Sequence, residues 1–162
     1  MQKTYISIDL GGTKCAGAVV TESGEIIYKM KDKRRSSWYL KAFLLFLSIH
    51  SICVGIALIT FPIPLISQFG IDICNKFFPT QSGVLHIIMG IIYILAIKNL
   101  GKNDLLIIFS IIVKFIATVF LVLYFLFLDQ ILVILLSGIG DFLMGVVLLM
   151  LFRAFKKMQV ME

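Results

Sequence analysis

Four ionisable side chains lie within long apolar stretches of this sequence: His50, His86, Lys114 and Asp141. Such groups are costly in an apolar environment unless they are paired, so they mark either an ion pair that fixes helix packing or a site for a proton or a ligand. Lys114 lies 14 residues before Leu128, and Asp141 lies 13 residues after it. On two antiparallel helices joined there, both side chains lie about 20 Å from the turn. The sequence therefore predicts an ion pair between Lys114 and Asp141.

Small and polar residues accompany the pair at helical spacing. Ser110 and Thr118 flank Lys114 four residues to either side, and Ser137 lies four residues before Asp141. Residues four apart share one face of a helix, so these side chains are expected to face a slightly polar interior. The predicted polar interior consists of His50, His86, Tyr93, Ser110, Thr118 and Ser137.

Two roles remain open for the predicted pair. It either fixes the register of two helices or takes part in the movement of a proton, solute or ligand. The two histidines lack further ligands at a suitable spacing, so the sequence predicts no metal site. It also predicts no catalytic residue.

The amino-acid composition indicates whether water or lipid surrounds these apolar stretches. The chain has 162 residues, of which 60% are hydrophobic and 15% charged, and its mean hydropathy is +1.04. A chain this short cannot hide so much apolar surface from water. Its net charge of +6 comes from basic residues beside apolar segments, which indicates membrane topology and excludes a nucleic-acid-binding role. We therefore expect lipid to surround most of the protein.

Four apolar stretches follow a change of composition near Ser36, and each is close to the length that spans a bilayer. Because only helices satisfy their backbone groups there, residues 36–157 are expected to form an all-α membrane domain, a bundle of four transmembrane helices. Between the first two spans, apolar residues recur at helical spacing from Leu65 to Phe77, as in an interfacial helix, although a partly ordered loop fits as well. The predicted spans are residues 39–61, 81–98, 104–128 and 130–152.

The distribution of lysine and arginine predicts the orientation. Eight of the fifteen basic residues lie in the segment that ends at Lys41, and others lie between the second and third spans and at the C-terminus. The opposite side carries only Lys76. Because basic loops stay in the cytoplasm, both termini are expected to be cytoplasmic, in a bacterial inner membrane. The expected partners are the lipid bilayer and another membrane protein or a second copy of the chain.

Residues 1–35 form a separate cytoplasmic segment with the pattern of a short β-meander. Within it, residues 8–14 resemble the first phosphate-binding motif of the sugar kinases of the repressor, open reading frame, kinase (ROK) family. The resemblance implies that Asp9 holds the hydration shell of magnesium and that Gly11, Gly12 and Thr13, followed by Lys14, bind nucleotide phosphates. ATP and magnesium are expected cofactors only on this interpretation, and otherwise none is expected.

The resemblance to the kinase family covers less than a quarter of the chain. No later segment supplies the helices, the second nucleotide-binding half or the catalytic aspartate of that fold. We interpret the motif as a vestige, left by either a natural gene fusion or an artificial join.

Residues 38–157 resemble small four-span bacterial membrane proteins of the DoxX-like kind. The resemblance lies in the Gly-Val-Leu-His start of the second span at residues 83–86, in Lys114, and in Gly140 followed by Asp141. It implies a four-helix membrane bundle and no established chemistry.

The sequence leaves three hypotheses for function. The first is a small integral membrane protein with a structural or accessory role. The second is a carrier of protons or a small solute that uses the Lys114 and Asp141 interior. The third is an ATP-dependent sugar kinase fragment, which we expect to be inactive.

Overall fold

The computed structural model describes residues 4–11, 14–21, 23, 26–30, 33–70 and 74–159. Three strands precede five helices along the chain. The strands are β1 (Thr4–Gly11), β2 (Lys14–Thr21) and β3 (Ile26–Met30), and the helices are α1 (Lys33–Thr60), α2 (Ile63–Ser67), α3 (Phe77–Lys98), α4 (Leu105–Phe127) and α5 (Leu132–Gln159).

Four of these helices, α1, α3, α4 and α5, are long and apolar enough to cross a membrane, in agreement with the four predicted spans. Two begin earlier than the sequence predicted. Helix α1 starts at Lys33 because lysine and arginine are good helix formers and nothing before Trp38 interrupts the helix. Helix α3 starts at Phe77, where the side chain of Asn75 accepts a hydrogen bond from the Phe77 N–H. Pro79 is tolerated there because the first turn of a helix needs no N–H donor.

The long helices pack as two antiparallel hairpins. Helix α1 packs on α3, and α4 packs on α5. The hairpins meet where α1 contacts α5 and where α3 contacts α4. The order around the bundle is therefore α1, α3, α4, α5, with each helix antiparallel to its neighbours.

Glycines bring α1 and α3 into backbone contact. A Cβ added to Gly55 would lie 2.7 Å from the carbonyl oxygen of Gly83, and one added to Gly83 would lie 2.6 Å from the oxygen of Gly55. Further along the same contact, the Ser48 hydroxyl donates to the carbonyl oxygen of Gly90 over 2.9 Å. Small residues permit such a close approach, which fixes the register of this hairpin.

The hydrophobic core fills only one half of the bundle. It lies at the end that carries the start of α1 and the end of α5, where the side chains are almost fully buried. This half is therefore filled by packed apolar side chains. The core consists of Leu40, Leu44, Leu47, Tyr93, Ala96, Ile107, Ile111, Leu148, Phe152 and Phe155.

The connection from α1 to α3 is only partly helical. Pro62 ends α1 and begins α2, which stops after five residues at Ser67. Gly70 then takes a φ of 81°, a conformation that breaks a helix. The helix predicted from Leu65 to Phe77 therefore does not continue beyond Ser67. In the rest of that stretch, residues 71–73 lie outside the described residues.

The three strands form an antiparallel sheet in the order β1-β2-β3, as the predicted meander requires. Asp9 pairs with Ala16 and Gly11 pairs with Lys14. Among the described residues, no strand lies in contact with a helix.

Candidate functional site

Lys114 on α4 and Asp141 on α5 form a salt bridge. The Lys114 Nζ lies 2.5 Å from the Asp141 Oδ1. The Lys114 side chain is 7% exposed and that of Asp141 is 18% exposed. The turn at residues 128–131 closes the hairpin, with the Ile131 N–H donating to the Asp129 carbonyl oxygen over 2.8 Å. Lys114 lies level with Gly145, one turn deeper than Asp141, and its long side chain reaches back to the carboxylate. The structure thus brings together the two charges that the sequence placed at one depth.

Glycines on α5 allow α4 to lie close to α5 on both sides of the salt bridge. A Cβ added to Gly145 would lie 3.2 Å from the Lys114 Cβ, and one added to Gly138 would lie 3.2 Å from the Leu121 Cβ. Both contacts are tighter than an ordinary van der Waals distance. The small residues therefore hold the lysine stem against α5, where its ammonium group reaches Asp141.

The hydroxyl groups predicted for the polar interior bond within their own helices. Ser110 is fully buried and donates to Leu106, whereas the half-buried Thr118 donates to the carbonyl oxygen of Lys114. Ser137 is exposed and donates to Val133. Such hydroxyl bonds to the preceding turn satisfy the donor locally. These three residues therefore make no hydrogen bond to the salt bridge.

The remaining aromatic residue of the predicted interior, Tyr93, lies elsewhere. It is 1% exposed and belongs to the hydrophobic core. The structure thus places it on the packed side of the bundle.

His50 and His86 lie at the level of the salt bridge. Counted from the ends of α1, α3 and α5 at the connections, His50, His86 and Asp141 all lie about 15 Å into the bundle. Both imidazoles are half-buried. The Nδ1 atom of His50 is buried and finds no hydrogen-bond partner among the described residues. We call these four residues, His50, His86, Lys114 and Asp141, the polar layer.

A cavity of about 1060 Å³ lies on the other side of the polar layer from the core. It extends from His50, His86 and Asp141 to the connections at the ends of the helices, where Phe69 and Asn75 line it. We call it the bundle cavity. Lys114 does not line it, so the salt bridge presents only its carboxylate to the space.

Sequence reasoning did not find the bundle cavity. It forms because the two hairpins are solidly packed against each other only at the core end. One clue is Gly140: a Cβ added there would meet nothing within 4 Å, unlike the crowded Gly145 one turn later. Gly140 therefore borders empty space, whereas Gly145 lies at a helix contact.

The structure describes only some of the residues of the kinase-like motif. Asp9 and Gly11 lie in β1, and Lys14 begins β2. Gly12 and Thr13 lie outside the described residues. Within the part of the chain that the structure describes, no group of three or more His, Cys, Asp or Glu residues could hold a metal ion.

Comparisons with protein-family models, curated proteins and solved structures find no match to this chain. The resemblances to the kinase and DoxX-like families therefore rest on the quoted motifs alone.

We expect the salt bridge to show strong coupling in a double-mutant cycle. Lys114→Met and Asp141→Leu should each lower the free energy of unfolding in a bilayer by about 1–3 kcal/mol, because each leaves a charge without its partner. Asp141→Leu should cost more, since Lys114 is more deeply buried than Asp141 and does not reach the cavity. The double variant should recover much of the loss.

The matched control for this cycle is Ile116→Met with Ile139→Leu. These residues lie on the same two helices and are 64% and 45% exposed, so their effects should be small and additive. A double variant of Lys114 and Asp141 as unstable as the sum of the singles would show that the two charges do not stabilise each other.

Proposed function

We propose that this chain is an integral membrane protein of four spans with a structural or accessory role. The observation that carries the proposal is the surface of the four long helices, where large apolar side chains are widely exposed. Ile116, Phe120 and Met150 are 64%, 62% and 66% exposed. In water such a belt would be a strong aggregation surface, whereas lipid solvates it at no cost.

The charges at the two ends of the bundle support an orientation with both termini in the cytoplasm of a bacterium. The core end carries the basic residues Lys98, Lys102, Arg153 and Lys157, while Lys76 is the only basic residue in the sequence of the connection from α1 to α3. Lys156, at the core end, forms a salt bridge with Asp104 just before α4. We infer that this end faces the cytoplasm.

The salt bridge supports the structural role. Lys114 is shielded from the bundle cavity and its charge is balanced by Asp141, so the pair serves to align α4 and α5. An accessory protein of this kind would act by contact with another membrane protein or with a second copy of itself, through its exposed apolar belt.

A second candidate function is the transport of protons or a small solute. The observation in its favour is the bundle cavity, which ends on a carboxylate and two imidazoles and leads to one end of the bundle. The core blocks the other half. A carrier would therefore have to open the core half while closing the cavity.

We expect reporter fusions to reveal the proposed topology. Fusions after Lys102 and after Glu162 should report a cytoplasmic location, and one at residues 74–76 an external location, because the basic residues lie at the core end. A fusion after Asp129 serves as an internal control and should also report the external side. A cytoplasmic report from residues 74–76 would overturn the topology.

We expect the protein in liposomes to conduct no protons above protein-free controls, because the core closes one half of the bundle. The measurement is the decay of an imposed pH gradient, followed with an entrapped dye. Flux that is lost in Lys114→Ala at unchanged abundance and helix content, but retained in Ile116→Ala, would instead establish the carrier function.

A further inference from the structure

The bundle cavity combines an apolar wall with a polar floor. Its wall is formed mainly by aliphatic and aromatic side chains, among them Val54, Leu58, Ile66, Phe78, Val133 and Met144. Its volume of about 1060 Å³ is at the upper end of the range of pockets that hold a drug-sized molecule. A molecule that fills it must therefore present an extended apolar body to the wall.

The floor of the cavity is polar but carries no net charge. Asp141 is neutralised by Lys114 behind it, so neither a cation nor an anion gains a free counter-charge there. A charged molecule would lose its hydration on entry without a compensating ion pair. The floor therefore favours an uncharged polar group.

The floor also has hydrogen-bonding capacity that the protein leaves unused. Among the described residues, the Asp141 Oδ2 and the nitrogens of His86 have no hydrogen-bond partner, and the buried His50 Nδ1 has none either. A neutral imidazole offers one donor and one acceptor, and a carboxylate oxygen accepts. A hydroxyl group, which both donates and accepts, complements this set.

We propose that the bundle cavity binds an uncharged single-chain alcohol, with its hydroxyl group on His86 and Asp141 and its apolar chain along the wall. The proposal assigns a ligand class to a site that the structural or accessory role does not require. It holds for either orientation of the bundle, so a failed topology experiment leaves it standing.

The test uses the full chain in lipid nanodiscs at pH 8, where an ordinary imidazole is neutral. A photoreactive analogue of oleyl alcohol, with a diazirine in its chain, labels the protein, and peptide mass spectrometry locates the label. Unlabelled oleyl alcohol, oleyl methyl ether, oleylamine and oleate then compete for the site. The four competitors share one chain and differ only in the head group.

We expect labelling on α5 peptides that contain Ser137 and Met144, which line the cavity. Oleyl alcohol should compete about fivefold better than the methyl ether, as expected for the loss of one donated hydrogen bond. The amine and the acid should compete less well than the alcohol. Equal competition by the ether, or stronger competition by either charged molecule, would overturn the proposed head-group chemistry.

Gly140→Phe provides a variant whose side chain takes up space in the cavity. Gly140 lines the cavity, and a Cβ there meets nothing within 4 Å. The matched control is Ile139→Phe, on the neighbouring residue, which is 45% exposed and does not line the cavity. Cavity labelling should fall at least fivefold in Gly140→Phe and stay unchanged in Ile139→Phe. Unchanged labelling in Gly140→Phe would overturn the location of the site.

A second variant tests the floor separately from the fold. His86→Phe keeps a ring of similar size but removes the imidazole N–H that donates to the hydroxyl oxygen. Labelling should persist and oleyl alcohol should compete less well, while its preference over the ether, which depends on the hydroxyl donating to Asp141, should remain. Unchanged competition by oleyl alcohol in His86→Phe would show that this imidazole does not bind the hydroxyl group.

Discussion

The salt bridge between Lys114 and Asp141 is the interaction on which the arrangement of α4 and α5 depends. Two opposite charges in an apolar bundle are tolerable only when they meet, so any shift of one helix along the other would separate them at a large cost. The approach that lets them meet is provided by Gly145, which has no side chain to keep the lysine stem away. A short turn, a glycine contact and a charge pair therefore specify the same register.

The polar layer divides the bundle into two unlike halves. On one side the core packs around Leu44, Tyr93 and Leu148, and on the other the helices leave a large cavity. The second hairpin, α1 with α3, is fixed independently by the backbone contact between Gly55 and Gly83. Because each hairpin is closely packed within itself, the space between the hairpins can remain open at the end away from the core. A binding role for that space is compatible with a structural role for the salt bridge.

Much of this architecture could be predicted from the sequence because it depends on local or one-dimensional properties. Hydropathy gave the number of long helices, and residue counting from the turn gave the pairing of Lys114 with Asp141, although Lys114 lies one turn deeper, level with Gly145. The bundle cavity could not be predicted because it depends on how the two hairpins meet, and the spacing of residue types within one helix does not determine that. Gly140 and Gly145, for example, are both glycines on α5, yet Gly140 borders empty space whereas Gly145 contacts the side chain of Lys114. Of the two interpretations of the periodicity from Leu65 onward, the continuous helix does not extend beyond Ser67, since a glycine with positive φ outweighs apolar spacing.

The most direct test of the central claim is the distance between the two charged groups in a bilayer. Solid-state NMR on the full chain in lipid, with ¹⁵N-labelled lysine and ¹³C-labelled aspartate, can measure the separation of the Lys114 Nζ and the Asp141 Cγ once their signal is distinguished from that of the Lys156–Asp104 salt bridge by its loss in Lys114→Met. The account predicts a charged ammonium group at a separation on the order of 3.5 Å, as in a direct charge-assisted hydrogen bond. A neutral amine, or a separation beyond about 6 Å, where a direct pair no longer acts, would contradict it.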